Sequence, residues 1–172
     1  EKGFATLLEA VALVRKRRPV RLGIVGEGPD RAGLEAQIKA LHLDTTVELA
    51  GFHSDPGVFL ERAQLFVSSS RYEGLGNAII EALSHGVPVV STDAPYGPRE
   101  ILQDGRWGDL VPVDDAAALA DAIEARLAHA ADDGRNGKER AADFTVENAA
   151  ATFLDILKDF GVKRLPGNVG AI

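Results

Sequence analysis

The sequence predicts an α/β domain built on a doubly wound parallel sheet. Three observations predict it. Apolar, β-branched runs alternate with segments of helical spacing, the signature of βαβ units with right-handed crossovers. Three glycine-containing loops follow predicted strands: Gly26 to Pro29, Arg71 to Gly76, and Asp93 to Glu100. In such a sheet these loops collect at the carboxyl ends of the strands, where ligands bind. Finally, Leu65 to Ser91 reads as strand, loop, helix and strand, the unit that brings helix N-terminal amides next to an anion.

In chain order, Lys2 to Arg18 carries Phe4, Leu7, Leu8, Val11 and Val14 at helical spacing and stops before Pro19. Val20 to Val25 is a strand, and GEGPDR after it is a turn. Arg31 to Leu43 is a helix with Asp30 as its expected cap. Thr46 to Ala50 is a short strand, and Pro56 to Ala63 a short helix with proline in its first turn. Leu65 to Ser69 is a strand. The RYEGLG loop leads into the helix NAIIEALSH, which Gly86 ends in a left-handed conformation. Val87 to Ser91 is the next strand. Pro98 to Leu102 forms one helical turn, and Gly108 to Val111 a short strand. Asp114 or Asp115 caps an amphipathic helix running to about Ala131. Two further helices are expected, from Gly137 to Phe144 and from Val146 to Phe160. The domain is read as residues 1–160, with 161–172 a flexible tail.

Composition bounds the function. A chain of 172 residues holds one domain with a true core. A net charge of -7 argues against a nucleic-acid partner, which needs a basic face. The basic run Arg15 to Arg18 reads as a helix C-terminus whose cations complement the dipole. There is no cysteine, so no disulfide, thiolate metal site or cysteine nucleophile exists; this fits a cytoplasmic protein. No run approaches the ~20 apolar residues that span a bilayer. No methionine is present and the chain opens on Glu1, which reads as a fragment of a longer product. The four histidines have no metal-ligand spacing, so no metal is expected. His85 reads as a helix C-terminal cation. His53, after a strand at the ligand edge, is the histidine that could serve a site.

The sharpest constellation is Glu73 and Glu81, eight positions apart, in the loop and in the helix after it. Glu81 then stands roughly 7 Å along the helix axis from its start. Asn77 is better placed than Glu73 to cap this helix, which leaves Glu73 available to a ligand. Glu81 lies among Ile79, Ile80, Ala82 and Leu83, is expected to be half-buried, and would then need a partner such as a ribose diol. The exposed amides at Gly97 to Glu100 could meet an anion or a sugar, or form a structural turn. Arg99 could reach a phosphate, or pair with Glu100 or Asp104. GEGP is a phosphate turn or simply a turn, and lacks the third glycine of the dinucleotide fingerprint. Lys2, taken alone, is an exposed lysine at a helix start.

Together, EKGF, IVGEGPDR, VELAGF, LFVSSSRYEGLGNAIIEALSHGVPVVSTDAP, GPREIL and GDLVP resemble the C-terminal, donor-binding half of GT-B retaining glycosyltransferases, family 4 or group 1. The resemblance runs to about Leu157 and carries the E-x7-E motif as Glu73 and Glu81. It implies a Rossmann-like sheet. It implies that Glu73 contacts the donor sugar, that Glu81 contacts the nucleotide ribose, and that the amides of Gly74, Leu75, Gly76 and Asn77 hold the diphosphate. Lys2 would bind the diphosphate as well, so Glu73 and Lys2 are the catalytic candidates. Gly26 and Gly28 would line the donor cleft, Phe52 and His53 would flank the base, and Arg99 and Glu100 belong to the donor-binding set. Tyr96, Gly97 and Pro98 look like those of members that move galactose-type or N-acetylhexosamine units.

The resemblance further implies a nucleoside diphosphate sugar as donor, a UDP-sugar by expectation, with no cofactor and no obligatory metal. Product classes would be polysaccharide, lipopolysaccharide or glycolipid. The family's diphosphate arginine lies on a strand before EKGF, and this chain lacks it. That strand should be central, between those at Leu22 and Phe66. The N-terminal acceptor domain is the expected partner, and peripheral association with the inner face of the membrane would run through it. A nucleotide-sugar epimerase half and a non-catalytic interaction domain are the alternatives.

Overall fold

The structure, a computed structural model, describes residues 1–129 and 137–160. The expected tail at 161–172 and the expected end of the long helix near Ala131 lie outside these. The elements in order are α1 (Phe4–Arg15), β1 (Leu22–Val25), α2 (Arg31–Ala40), β2 (Val47–Gly51), α3 (Gly57–Leu60) and β3 (Phe66–Ser68). They continue with α4 (Asn77–Ser84), β4 (Val89–Thr92), α5 (Pro98–Ile101), β5 (Asp109–Val111) and α6 (Ala116–Ala128). α7 (Gly137–Ala141), a 3-10 turn (Ala142–Phe144) and α8 (Val146–Asp159) complete the described chain. All strand pairs are parallel, as helical crossovers between successive strands demand. The fold is the Rossmann-like α/β architecture that the alternating pattern predicts.

Among the described residues the strands form two sheets, β1-β2 and β3-β4-β5, and the break falls between β1 and β3. That is where the resemblance places a further strand, one that precedes EKGF. No described segment fills the position. Instead, α1 backs both sheets. Leu8, Val11 and Val14 of α1 share one buried cluster with Ile24 of β1, Val47 of β2, and Val90 and Val111 of the other sheet. Leu119 and Ile123 of α6 close it. A second cluster on the opposite face joins Ile79, Ala82 and Leu83 of α4 to Val89, Ile101 and Leu102. Val89 and Val90 are neighbours on β4 yet serve opposite clusters, as a strand's two-residue period requires. Fully burying one such aliphatic side chain contributes about 1.5–3 kcal/mol.

The caps divide by chemistry. Asp115 caps α6 by accepting from the Ala118 amide at 2.9 Å, and Thr145 does the same for α8 through Asn148 at 3.2 Å. Asp30 stands before α2 but makes no side-chain cap bond. Gly86 is left-handed after α4, and His85 Nδ1 lies 2.9 Å from the Glu81 carbonyl oxygen, a C-terminal cap. α1 ends at Arg15, whose guanidinium donates to the His42 carbonyl, while Arg17 crosses to Asp121 and Glu124 of α6. α8 has no buried residue, and Phe153, Leu154 and Phe160 stand exposed along it.

Candidate functional site

The chain's first residues, the end of β3 and the entry to α4 meet at one point. Gly3 has φ +64, and a Cβ there would stand 1.9 Å from the Ser69 carbonyl oxygen, so only glycine allows this approach. Ser69 Oγ donates to the Lys2 carbonyl at 2.8 Å, and the Arg71 amide donates to the Glu1 carbonyl at 2.8 Å. The result is that Lys2 Nζ donates to Glu73 Oε1 at 2.8 Å. Two of the residues singled out in the sequence thus form one ion pair. Ser70 Oγ donates to the same oxygen at 2.6 Å. The Glu73 side chain is 14% exposed, against 49% for Lys2. Burial pushes the Glu73 carboxyl up, but the bonds from Lys2 and Ser70 outweigh it and hold the group below the ordinary range.

The helix entry differs from the expected one. Gly76, not Asn77, is the residue before the first turn of α4; it is left-handed at φ 89, and no side chain caps the helix. Asn77 is the first helical residue. An uncapped α4 points its first amides and the positive end of its dipole into the loop that carries Glu73. A Cβ on Gly74 would meet nothing within 4 Å, so the loop backbone here is open.

The Asp93 to Glu100 loop closes on this one. A Cβ on Gly97 would stand 2.3 Å from the Leu75 carbonyl oxygen and 3.3 Å from that of Gly74. Tyr96, beside it, has φ +63 and is 84% exposed. Arg99 pairs with Asp93, and with Asp104 at 2.9 Å. Asp104 was an expected partner and Asp93 was not. Glu100 lends its carbonyl to Arg140 Nη2 at 2.9 Å, and its side chain is exposed.

Glu81 is exposed rather than half-buried. It lines an open hollow of about 530 Å³ between α4 and α8, with Leu75, Asn77, Phe144 and Phe153. Glu73 is not among the residues lining that hollow. The two glutamates therefore do not share that hollow. The Gly26 to Pro29 loop is tied elsewhere. The Gly26 amide donates to the Gly51 carbonyl at 2.7 Å, and Glu27 pairs with Arg31 at 2.5 Å. Neither Gly26 nor Gly28 has an atom within 4 Å of an added Cβ, so both line open space. Phe52 is exposed, and His53 packs edge-on against Phe59 at 4.7 Å with Nε2 3.2 Å from the Ala50 carbonyl oxygen.

A family model described as Glycosyl transferases group 1 matches residues 1–129. The chain belongs to that family. One relative is a lipopolysaccharide core biosynthesis glycosyltransferase, LpsE, of Rhizobium meliloti. It is 42% identical over 124 residues, covering 72% of this chain and 35% of the relative. The solved structure of a Staphylococcus aureus TarM variant, in complex with fondaparinux, alpha-GlcNAc-glycerol and UDP, superposes with a TM-score of 0.82 at 28% identity. It covers 94% of this chain and 33% of that one. Anabaena HepE in complex with UDP-glucose superposes at 0.77 with 26% identity, over 92% of this chain and 45% of that one. This chain spans about a third of the length of LpsE and TarM.

Sequence reasoning missed Ser70, Thr92 and the contact made by Gly97. The Ser68 to Ser70 run at a strand's end was a visible signal, since hydroxyls there face the ligand edge of the sheet. Nothing local marks Thr92, whose hydroxyl donates to the Ser70 carbonyl, 22 positions earlier, with the Ser68 carbonyl oxygen at 3.4 Å.

Proposed function

We propose that this group 1 chain is the donor-binding part of a retaining glycosyltransferase that uses a nucleoside diphosphate sugar, a UDP-sugar. The transferred unit is a hexose or an N-acetylhexosamine. The observation that carries the reading is the Lys2–Glu73 pair at the uncapped entry of α4. A cation, a carboxylate and a row of helix amides stand together. A sugar diphosphate needs those three groups. The diphosphate takes Lys2 and the amides from Gly74 to Asn77. Glu73 accepts hydroxyls of the sugar, and Glu81, at the hollow between α4 and α8, accepts the ribose hydroxyls. Relatives solved with UDP and with UDP-glucose support the donor class.

In the reaction, the anomeric carbon–oxygen bond breaks and the UDP oxygen takes the electron pair. Lys2 and the α4 dipole stabilise that charge. Positive charge grows at the sugar ring, and Glu73 holds the ring in register with the leaving group. The acceptor hydroxyl attacks from the face UDP leaves, and its proton passes to the departing phosphate oxygen. Configuration is retained. No step requires a metal. The acceptor is bound outside these residues, by a further domain of the same protein. Work at the cytoplasmic side of a membrane suits a sugar donor of this class.

Calorimetric titration with UDP tests the reading. A saturable heat that Lys2→Met weakens is the expected result, and no heat up to millimolar UDP rejects it. Product analysis of the full-length protein with UDP-sugars then separates transfer from epimerisation.

A further inference from the structure

Glu73 Oε1 accepts two hydrogen bonds, and their donors differ in how they are held. Lys2 Nζ sits on a flexible four-carbon stem and is half-exposed. Its backbone is pinned by Ser69, so a move of Lys2 is a swing of its side chain. Ser70 is only 3% exposed, and its single hydroxyl hydrogen goes to Glu73. The Ser70 carbonyl is itself fixed by Thr92 Oγ1, which donates at 2.5 Å from a side chain that is 1% exposed. Arg71, next in the chain, is occupied by Asp114 at 2.7 Å and does not compete for Glu73. Glu73 Oε2 has no hydrogen bond among the described residues, which leaves it an open acceptor.

We propose that Ser70 is a positioning residue for Glu73, the fixed one of two donors, and that it alone holds the carboxylate when Lys2 is drawn to the donor's diphosphate. The inference rests on the donor-binding reading. Lys2 Nζ carries three donors on a flexible stem, and a diphosphate, with its greater negative charge, draws them away from the single carboxylate. Once it leaves, an unheld glutamate would lose its orientation and regain the burial cost of its charge. A buried hydroxyl anchored through Thr92 keeps Oε1 in place and Oε2 toward the sugar. The chain from Thr92 through Ser70 to Glu73 links β4, the end of β3 and the α4 loop.

The test uses the full-length protein in four forms: wild type, Ser70→Ala, Thr92→Val and Lys2→Met. The Glu73 carboxyl is titrated by carbon NMR, with Glu73→Gln assigning its signal, first free and then with saturating UDP. In the free protein, Ser70→Ala and Lys2→Met each raise the Glu73 titration midpoint. UDP raises it in wild type, as Lys2 departs, and Ser70→Ala with UDP lies higher still. Ser70→Ala loses roughly ten- to a hundred-fold in kcat/KM for the UDP-sugar, while UDP affinity stays near wild type. Thr92→Val shifts the same readouts by less, and serves if Ser70→Ala does not fold. An unchanged titration in Ser70→Ala, or an unchanged kcat/KM, overturns the role of Ser70. An unchanged Glu73 midpoint on UDP binding to wild type overturns the release of Lys2. Failure of wild type to bind UDP rejects the donor-binding reading instead, and is told apart because the free-protein titration needs no ligand.

Discussion

Gly97 presses its backbone against Leu75: a Cβ on Gly97 would lie 2.3 Å from the Leu75 carbonyl oxygen and 2.8 Å from its carbonyl carbon. The backbone there has φ 79 and ψ -73, which an L side chain rarely adopts. Two loops from the ends of β3 and β4 are thereby locked in register around the α4 entry. Gly97→Ala must displace one of them. We expect it to cost about 2 kcal/mol or more in thermal unfolding, and to weaken UDP-sugar binding through a shifted 74–76 backbone. An alanine variant with wild-type stability and affinity would show that the loops are not coupled.

Glu73 pairs with Lys2 while Glu81 lines the hollow between α4 and α8, so their losses should separate by ligand. Glu81→Ala should weaken UDP, whose ribose it would hold. Glu73→Ala should weaken a UDP-sugar more than UDP, by roughly ten-fold or more, the scale of a lost charge-assisted hydrogen bond. Calorimetry with both ligands on both variants reads this. Equal losses for both ligands in both variants would remove the division of roles.

The pH dependence of stability has a defined sign. The Glu73 carboxyl is held below its unfolded value of 4.5, so its ionised form is the one folding favours. Its contribution is fully present above that value and is lost as pH falls through the lower folded value. The stability gap between wild type and Glu73→Gln should be flat from neutral pH to about pH 5.5 and should narrow in wild type's disfavour below 4.5. Chemical denaturation at a series of pH values measures it. A gap that widens on acidification contradicts the arrangement.

Leu8 tests the bridging of the two sheets. It is fully buried in the cluster that joins β1 and β2 to β4 and β5 across the break. Leu8→Ala should cost about 2–5 kcal/mol by the cavity it leaves. Because both sheets lean on α1, unfolding should stay a single transition when followed by denaturant titration. A loss under 1 kcal/mol would mean the sheets hold together by other contacts.

Much of the fold was legible because it is written in local pattern. The helix over Asn77–Ser84 carries apolar residues at Ile79, Ile80 and Leu83 and a left-handed glycine after it, and each of these is a short-range signal. The cap at Asp115 was readable for the same reason, since it involves residues three apart. The burial of Glu81 was not. Its apolar neighbours suggested a half-buried site, but the helix face it occupies opens onto a hollow that α8 only partly covers. Which face of a helix is covered depends on a distant element, and no window of sequence contains it. The cap of α4 misled for a related reason. Asn77 is a good capping residue, yet the chain arriving from Gly76 in a left-handed turn starts the helix one position earlier than a capping asparagine would.

By itself the sequence determined the alternation of strands and helices, the parallel sense of the strands, and the run from Arg71 to Gly86 whose motif resembles the group 1 glycosyltransferases. Each of these follows from periodicity, turn chemistry or motif spacing within a few dozen residues. Only the tertiary structure decided that Lys2 and Glu73, 71 positions apart, are partners, and that Ser70 shares the same oxygen. The reason is geometric. The contact is fixed by the close approach at Gly3 and by the bonds from Ser69 and Arg71 to the chain's first residues, and these depend on the whole chain folding at once.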